Sequence, residues 1–103
     1  MFSAQLRDIL LSALGIVRNE QQLTDALRRL EAFEAERELN CRENAHLLLG
    51  RAMLLSARAR KESRGAHFRE DFPKTEDEYM KKSVAVCDGG SVSVSFASPD
   101  SYM

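Results

Sequence analysis

The residues best suited to chemistry lie in one stretch, residues 60–73, where charged side chains of both signs alternate with aromatic ones. His67 stands between two arginines, and the carboxylates Glu70 and Asp71 follow closely. Arginines at this density can hold a dicarboxylate or a phosphate through paired hydrogen bonds. The alternative is that the arginines pair with the neighbouring carboxylates and fix the chain where it leaves a helix. The sequence favours this second interpretation and leaves the first open.

Other kinds of chemical site are not indicated. The sequence contains neither a Gly-x-Gly-x-x-Gly motif nor a Walker loop, and Ser63 has no base implied by its neighbours. His46 lies among leucines, which favours a packed or partly exposed histidine over a ligand. Cys41 and Cys87 lie in different kinds of segment without metal-ligand spacing, which predicts two reduced thiols. We therefore predict no catalytic residue, no cofactor-binding residue and no metal ligand.

Composition limits the class of protein. A chain of 103 residues forms one small domain with a single modest core. Fifteen basic and sixteen acidic residues argue against a nucleic-acid partner, which requires a dominant basic surface. No apolar run approaches the ~20 residues that cross a bilayer, and the first residues lack the pattern of a signal peptide. We predict a cytoplasmic protein without direct membrane insertion.

Two amphipathic helices are predicted before the third. Apolar residues recur at three- and four-residue steps over residues 2–17 and again over residues 23–33. We predict that the first helix ends near Val17. The second begins at Asn19, whose spacing to Gln22 resembles a capping box.

The third predicted helix has a different character. It begins near Cys41, because Asn40 and Glu43 repeat the capping spacing, and Gly65 is a natural residue to end it. Apolar residues surround most of its circumference between residues 45 and 59, so it must be covered on more than one side. Two partner helices cannot cover all of it, and the remaining apolar arc is either a looser core or a docking face.

The pattern changes after the helices. Residues 65–82 read as an extended charged segment, and residues 83–96 alternate valines with small or polar residues around an Asp-Gly-Gly turn, which predicts a β-hairpin. A lone hairpin is marginally stable in water, so it must lie on the helices. Residues 97–103 read as a flexible tail. The predicted fold is mainly α: a three-helix bundle over residues 1–64, the extended segment and a C-terminal β-hairpin, in one domain.

Residues 60–73 follow the pattern Arg60-x-Glu62-Ser63-Arg64-Gly65-Ala66-His67-x-Arg69-Glu70-Asp71-x-Pro73. This pattern resembles the signature near the C-terminus of the succinate dehydrogenase/fumarate reductase flavoprotein subunits, a family that includes L-aspartate oxidase. Gly15-Ile16-Val17-Arg18-Asn19, the Asn44-Ala45 start of a long helix and the valine-rich hairpin are also similar to that family. The Ala66-His67-x-Arg69-Glu70-Asp71 form is closer to the succinate and fumarate enzymes than to aspartate oxidase.

The resemblance implies a three-helix domain of spectrin-repeat-like topology that supports an FAD-binding domain and is not catalytic alone. FAD and the substrate residues would then belong to upstream domains that this sequence does not contain. The motif that packs the helical domain against the FAD-binding domain would comprise Arg60, Glu62, Ser63, Arg64, Gly65, His67, Arg69, Glu70 and Asp71. The parent would be an FAD-dependent oxidoreductase of succinate, fumarate or aspartate.

The resemblance also implies where the parent acts and with what. An iron-sulfur subunit is a second candidate partner. The parent would then take part in electron transport and lie at the cytoplasmic face of the membrane. The isolated domain could form a homodimer through its apolar face or through the open hairpin edge. The alternative function is a stand-alone helical module that binds another protein.

Overall fold

The computed structural model describes residues 2–15, 17–35, 40–88 and 91–97. In order along the chain lie helix α1 (Phe2–Leu11), helix α2 (Glu20–Ala35), helix α3 (Cys41–Ala59), a 3-10 turn (Asp77–Tyr79), strand β1 (Lys82–Asp88) and strand β2 (Ser91–Ala97). The predicted fold class, three helices followed by an extended segment and a hairpin, is confirmed. No helix in the described part of the chain is long and apolar enough to cross a membrane.

The core lies between the three helices and comes from the apolar stripes of the sequence. Its buried side chains are Leu6, Ile9, Ala13, Leu23, Ala26, Leu27, Leu30, Phe33, Leu47, Leu54 and Ala57. α1 and α3 approach closely at Gly50, where a Cβ atom would stand 3.2 Å from Leu10 Cδ2. Burial of these side chains supplies most of the driving force for the bundle, because each large aliphatic side chain contributes ~1.5–3 kcal/mol.

The predicted helix starts are confirmed by their capping hydrogen bonds. The Gln22 backbone N–H donates to Asn19 Oδ1 at 2.8 Å. At α3 the Glu43 N–H donates to Asn40 Oδ1 at 2.9 Å, and the Asn40 N–H donates to Glu43 Oε1 at 3.2 Å. This reciprocal capping box satisfies two backbone groups that would otherwise lack a partner in the helix.

The predicted end of the first helix is wrong. α1 ends at Leu11 and not near Val17, and the chain turns through residues 12–15. The Ser12 hydroxyl donates to the Ile9 carbonyl oxygen at 2.6 Å and occupies an acceptor near the helix end. Local hydrogen bonds from a serine side chain compete with helix continuation, although the apolar spacing runs on.

The predicted end of the third helix is also wrong. α3 ends at Ala59, well before Gly65. Arg60 follows in an extended conformation with φ −85° and ψ 95°, and its N–H closes the last turn on the Ser56 carbonyl at 3.2 Å. Of the cations predicted for the last turn, only Arg58 lies there.

The hairpin covers one side of α3. β1 and β2 pair antiparallel from Lys82 opposite Ala97 to Asp88 opposite Ser91, one residue beyond the predicted range at its outer end. Both strands contact α3. Residues 89–90 of the predicted turn and residues 98–103 of the predicted tail lie outside the described residues.

Another side of α3 keeps an uncovered apolar arc. Leu49 is 61% exposed and Met53 is 45% exposed, and Leu11 on the neighbouring helix is 61% exposed. A groove of about 460 Å³ runs between α1 and α3, and its lining includes Leu10, Leu11, Met53 and the exposed His46. Exposed apolar surface of this kind commonly marks a contact with another protein surface.

Candidate functional site

Residues 60–73, here called the motif loop, follow the end of α3 and lie beside the residues that precede α2. The Arg18 N–H donates to the Phe68 carbonyl at 2.8 Å, and the Glu70 N–H donates to the Arg18 carbonyl at 2.8 Å. These two hydrogen bonds hold the loop beside the residues that precede α2. The charged side chains of the loop are thereby placed between two helix ends that are distant in sequence.

Gly65 forms a tight turn within the loop. Arg64 and His67 exchange backbone hydrogen bonds of 2.8 and 3.0 Å across it. Gly65 has φ +59°, a left-handed conformation that side chains other than glycine adopt at a cost. The glycine predicted as a helix stop thus acts instead as a turn residue, which directs His67 back toward the helices.

Gly65→Ala should lower the free energy of unfolding by about 1 kcal/mol, because the left-handed backbone is unfavourable for alanine although space for its Cβ is open. Gly65→Asn should cost less, since asparagine tolerates this conformation. Urea denaturation measures both values. Gly15→Ala is the matched control, because a Cβ there meets only ordinary contact at 3.6 Å from the Leu11 carbonyl oxygen. Equal losses for Gly65→Ala and Gly15→Ala would contradict the conformational explanation.

Glu62 is the fully buried anion of the loop. Its Oε2 accepts from Arg60 Nη1 at 2.5 Å and from Arg64 Nε at 2.9 Å. Its Oε1 accepts from Arg64 Nη2 at 3.2 Å and from the Glu76 N–H at 2.9 Å. Burial alone would raise the pKa of Glu62, but the hydrogen bonds from Arg64, the Glu76 N–H and Arg60 outweigh it and lower the pKa. The carboxylate is therefore held in its charged form.

Arg69 is the fully buried cation of the loop. Its Nε and Nη2 donate to the two carboxylate oxygens of Asp71 at 3.0 and 2.7 Å. Its Nη1 donates to the carbonyls of Ala57 and Arg58 at 3.4 and 2.7 Å, so the guanidinium caps the C-terminus of α3. A cation at this end of a helix also interacts favourably with the helix dipole.

The other end of the same ion pair caps α2. Asp71 Oδ2 accepts from the Glu20 N–H at 3.0 Å, at the first residue of the helix. Arg69 Nη2 also reaches Glu20 Oε1 at 3.3 Å. The Asn19 side chain donates a short hydrogen bond to Glu70 Oε1. Arg69 and Asp71 therefore form a clamp, which joins the negative end of α3 to the positive end of α2.

Ser63 anchors the loop from inside. Its buried hydroxyl oxygen accepts from the Arg69 N–H at 3.0 Å and its O–H donates to the Phe72 carbonyl at 2.9 Å. The Thr75 hydroxyl donates to the Ser63 carbonyl at 2.5 Å. These contacts give Ser63 a structural position and no adjacent base.

Arg60 connects the motif loop to the hairpin. Its Nη1 donates to the Tyr79 carbonyl at 2.7 Å, and its Nη2 donates to the Lys81 carbonyl at 2.5 Å and to Ser83 Oγ at 3.2 Å. The guanidinium also lies 5.2 Å from the ring centroid of Phe96. All these donors are thus committed within the chain.

His67 is a neutral histidine between two cations. Its Nε2 lies 3.0 Å from the Arg60 carbonyl and its Nδ1 lies 2.9 Å from Arg18 Nη1. Since both partners are fixed in role, Nε2 carries the proton and Nδ1 accepts. Burial lowers the pKa of His67. The hydrogen bond to the Arg60 carbonyl raises it, but the positive charges of Arg18, Arg69 and Arg60 lower it again, so the net shift is downward.

This lowered pKa predicts a pH dependence of stability. Below the ordinary pKa of 6.5 the unfolded chain binds a proton that folded His67 does not, so stability should fall as pH drops from about 6.5 toward 5. Glu62 and Asp71 also have lowered pKa values, but their contributions are lost only below about 4.5 and 3.8. Urea denaturation of the wild type and of His67→Gln across this range measures the effect.

His67→Gln should flatten the dependence between pH 6.5 and 5. His46→Gln removes the other histidine, an exposed one, and reports any part of the dependence that does not come from His67. An unchanged slope in His67→Gln would contradict a neutral, half-buried His67.

The structure brings the predicted site residues together and shows which of the two interpretations holds within the described residues. The arginines of the motif loop pair with its own carboxylates, or with Glu20, as the second interpretation predicted. No group of three or more potential ligands in the described ranges could hold a metal ion. Sequence reasoning missed Arg18 and Glu20 as members of the site, although Arg18 belongs to the Gly-Ile-Val-Arg stretch. The role of the motif between domains stays a prediction.

A comparison with protein families identifies the class of this helical domain. The model of the fumarate reductase flavoprotein C-terminus matches residues 36–100. Because this match covers more than half of the 103 residues, the chain belongs to that family.

Individual relatives are similar over part of their length. L-aspartate oxidase from Pyrococcus furiosus is 39% identical over 80 residues, which are 78% of this chain and 16% of the relative. The 8-methylmenaquinol:fumarate reductase flavoprotein subunit of Wolinella succinogenes is 49% identical over 43 residues, 41% of this chain and 7% of the relative. The chain thus spans a small part of the curated relatives it matches.

A solved structure has the same fold. Quinol fumarate reductase FrdA from E. coli superimposes with a TM-score of 0.75 over 92% of this chain and 20% of that chain. The sequences are 24% identical, so this likeness concerns the fold alone.

Proposed function

We propose that this chain is the supporting C-terminal domain of an FAD-dependent oxidoreductase that acts on a four-carbon dicarboxylate: succinate, fumarate or aspartate. The observation that carries the proposal is the commitment of the motif loop to internal contacts in a chain of this family. Glu62 and Arg69 are fully buried, and each is paired with another side chain of the motif loop. The Arg69 guanidinium is therefore not free to bind a substrate.

The contact with the FAD-binding domain would use the exposed residues of the same loop. Phe68 is 40% exposed and Phe72 is 37% exposed, beside the exposed Glu70. Exposed aromatic side chains such as these are typical of protein contact surfaces. The buried ion pairs fix the backbone that presents them. FAD would be bound by the rest of the parent protein and not by this chain.

The substrate and the wider setting belong to the same proposal. The relatives include an L-aspartate oxidase and a fumarate reductase flavoprotein subunit, and both substrates are dicarboxylates. A cytoplasmic location, at the membrane surface if the parent exchanges electrons with an iron-sulfur subunit, follows from this assignment. The exposed arc of α3 and the open hairpin edge are the surfaces through which the isolated domain would dimerise.

The native size of the protein tests the proposal. An antibody raised against the chain should detect a product several-fold larger than 11.6 kDa in the source organism. The purified 103-residue chain should retain no FAD and should not turn over succinate, fumarate or aspartate. A native product of 11.6 kDa, or tight FAD binding by this chain, would overturn the proposal and favour a stand-alone module.

The contact surface is tested in the complete flavoprotein. Phe68→Ser should lower the temperature at which the complete protein releases its flavin and should change the stability of the isolated domain little. Val86→Ser is the matched control, because Val86 is 47% exposed on β1 and does not belong to the motif loop. Equal effects of the two substitutions on flavin release would contradict the assignment of the surface.

A further inference from the structure

A cleft of about 270 Å³ lies beside the motif loop. It is bounded by the connection between α1 and α2, by α3 and by the start of β1. Its lining includes Leu14, Arg18, Met53, Ser56, His67 and Ser83. Arg60, which pairs with Glu62, is also part of its lining, whereas Glu62, Arg69 and Asp71 are not. The cleft combines apolar walls with two hydroxyl groups and the guanidinium groups of Arg18 and Arg60.

Arg18 is a partly buried cation that forms no ion pair with any described residue. Its Nη1 donates to His67 Nδ1, and its Nε donates to the Gly15 carbonyl at 3.4 Å. Both of these partners are neutral, and the carboxylates of Glu62 and Asp71 are bound to other arginines. Burial lowers the pKa of Arg18, because the charged group has lost hydration without gaining an anion.

The charges around the cleft select a single negative charge. Arg60 also lines the cleft, but its guanidinium is neutralised by Glu62. His67 is neutral. Among the described residues that line the cleft, Arg18 is therefore the arginine without an anionic partner. A planar carboxylate matches the donor geometry of its guanidinium. The hydroxyls of Ser56 and Ser83 are further hydrogen-bond donors in the lining.

The walls of the cleft indicate what the carboxylate is attached to. Leu14 and Met53 line this cleft and also the apolar groove between α1 and α3. The two depressions are therefore neighbours that share an apolar wall. A carboxylate on an apolar body could place its charge at Arg18 and its apolar part along Met53.

We propose that this cleft binds one carboxylate group carried on an apolar body, with Arg18 as the residue that pairs with it. Two sources have this chemistry: a free small carboxylate, or an acidic side chain on the surface of the remainder of the protein. The site itself does not depend on the proposed function, because the isolated chain contains all the residues named; only the second source rests on that proposed function.

Titration of the purified chain with hexanoate at pH 7 tests the site, with hexanol as the uncharged matched probe. NMR signals of the His67 ring should shift saturably with hexanoate and not with hexanol. The titration midpoint of His67 should also rise when hexanoate is bound, since the anion offsets the charge of Arg18.

Arg18→Gln should weaken hexanoate binding about tenfold or more, because it removes a charge-assisted hydrogen bond. Arg29→Gln is the control, since Arg29 is an exposed arginine on α2, and it should bind hexanoate as the wild type does. Arg18→Lys keeps the charge and should retain part of the binding. An absent His67 shift, an equal shift with hexanol, or full binding by a folded Arg18→Gln would each overturn the proposal.

The source of the carboxylate is decided in the complete protein. If a free carboxylate is the natural ligand, hexanoate still shifts His67 there. If an acidic side chain of the remainder supplies it, the cleft is already filled, hexanoate has no effect, and the His67 midpoint is already raised relative to the isolated chain.

Discussion

Glu62→Gln should lower the free energy of unfolding by about 3 kcal/mol, because the carboxylate is fully buried and neutralises both Arg60 and Arg64. Glutamine keeps the shape but removes the charge. Its amide N–H group is a donor and would replace a carboxylate oxygen that now accepts from N–H donors. In a domain whose total stability is ~5–15 kcal/mol this is a large loss. Urea denaturation at pH 7 measures it as a lower midpoint with an unchanged m-value.

Glu34→Gln provides a control with the same chemical change. Glu34 pairs with Arg51 at 2.5 Å, but its side chain is 40% exposed. Exposed ion pairs contribute ~0–1 kcal/mol, so the loss should be well below that at Glu62. Similar losses at the two positions would show that burial of Glu62 does not determine its contribution.

Arg69→Met should cost about 3 kcal/mol, because the Ala57 and Arg58 carbonyls lose the fully buried guanidinium as a donor. The partly exposed Asp71 carboxylate loses its two hydrogen bonds from Arg69 but keeps the one from the Glu20 N–H. Arg69→Lys should recover part of the loss, because lysine keeps the charge but cannot bind Asp71 through two parallel hydrogen bonds. Urea denaturation of both variants gives the difference.

A double-mutant cycle tests whether the clamp acts as a unit. Asp71→Asn alone should destabilise, but Arg69→Met combined with Asp71→Asn should lose clearly less than the sum of the two single losses. The reason is that the double variant removes both charges of the pair, whereas each single variant leaves one of them without its partner. Strict additivity would contradict a direct ion pair between these residues.

The sequence was sufficient for the elements that depend on local spacing. The apolar stripes of the first two helices, the caps at Asn19 and Asn40 and the alternating valines of the hairpin each involve residues a few positions apart. Their physical causes are helical periodicity, strand alternation and short-range hydrogen bonds, and each of these depends on residues close together in the sequence. These predictions are confirmed for that reason.

The end of α3 could not be predicted in the same way. It ends at Ala59 because Arg69, from a later turn of the chain, donates to the carbonyls of its last turn. Nothing in the local spacing around Ala59 marks this stop, whereas Gly65 has the residue type of a stop and serves a different turn.

The composition of the site was predicted better than its connections. The charged residues of the motif loop indicated mutual pairing, but the pairing partners include Glu20, which is 49 residues before Arg69. Only the folded chain shows that Arg18 lies against His67 without an acidic partner among the described residues. Long-range placement of this kind leaves no periodic pattern in the sequence.

The clamp between α2 and α3 has a consequence for the kinetics of the domain. It joins residues 49 apart, such as Glu20 and Arg69, so closing it requires the long connection between them to be ordered first. α2 and α3 are consecutive helices and can pack before that. We expect the clamp to form after the folding barrier, so that its loss speeds unfolding and leaves the folding rate nearly unchanged. The clamp would then mainly lengthen the lifetime of the folded domain. This would be visible in the unfolding limb of a chevron plot and in slow cleavage by proteases.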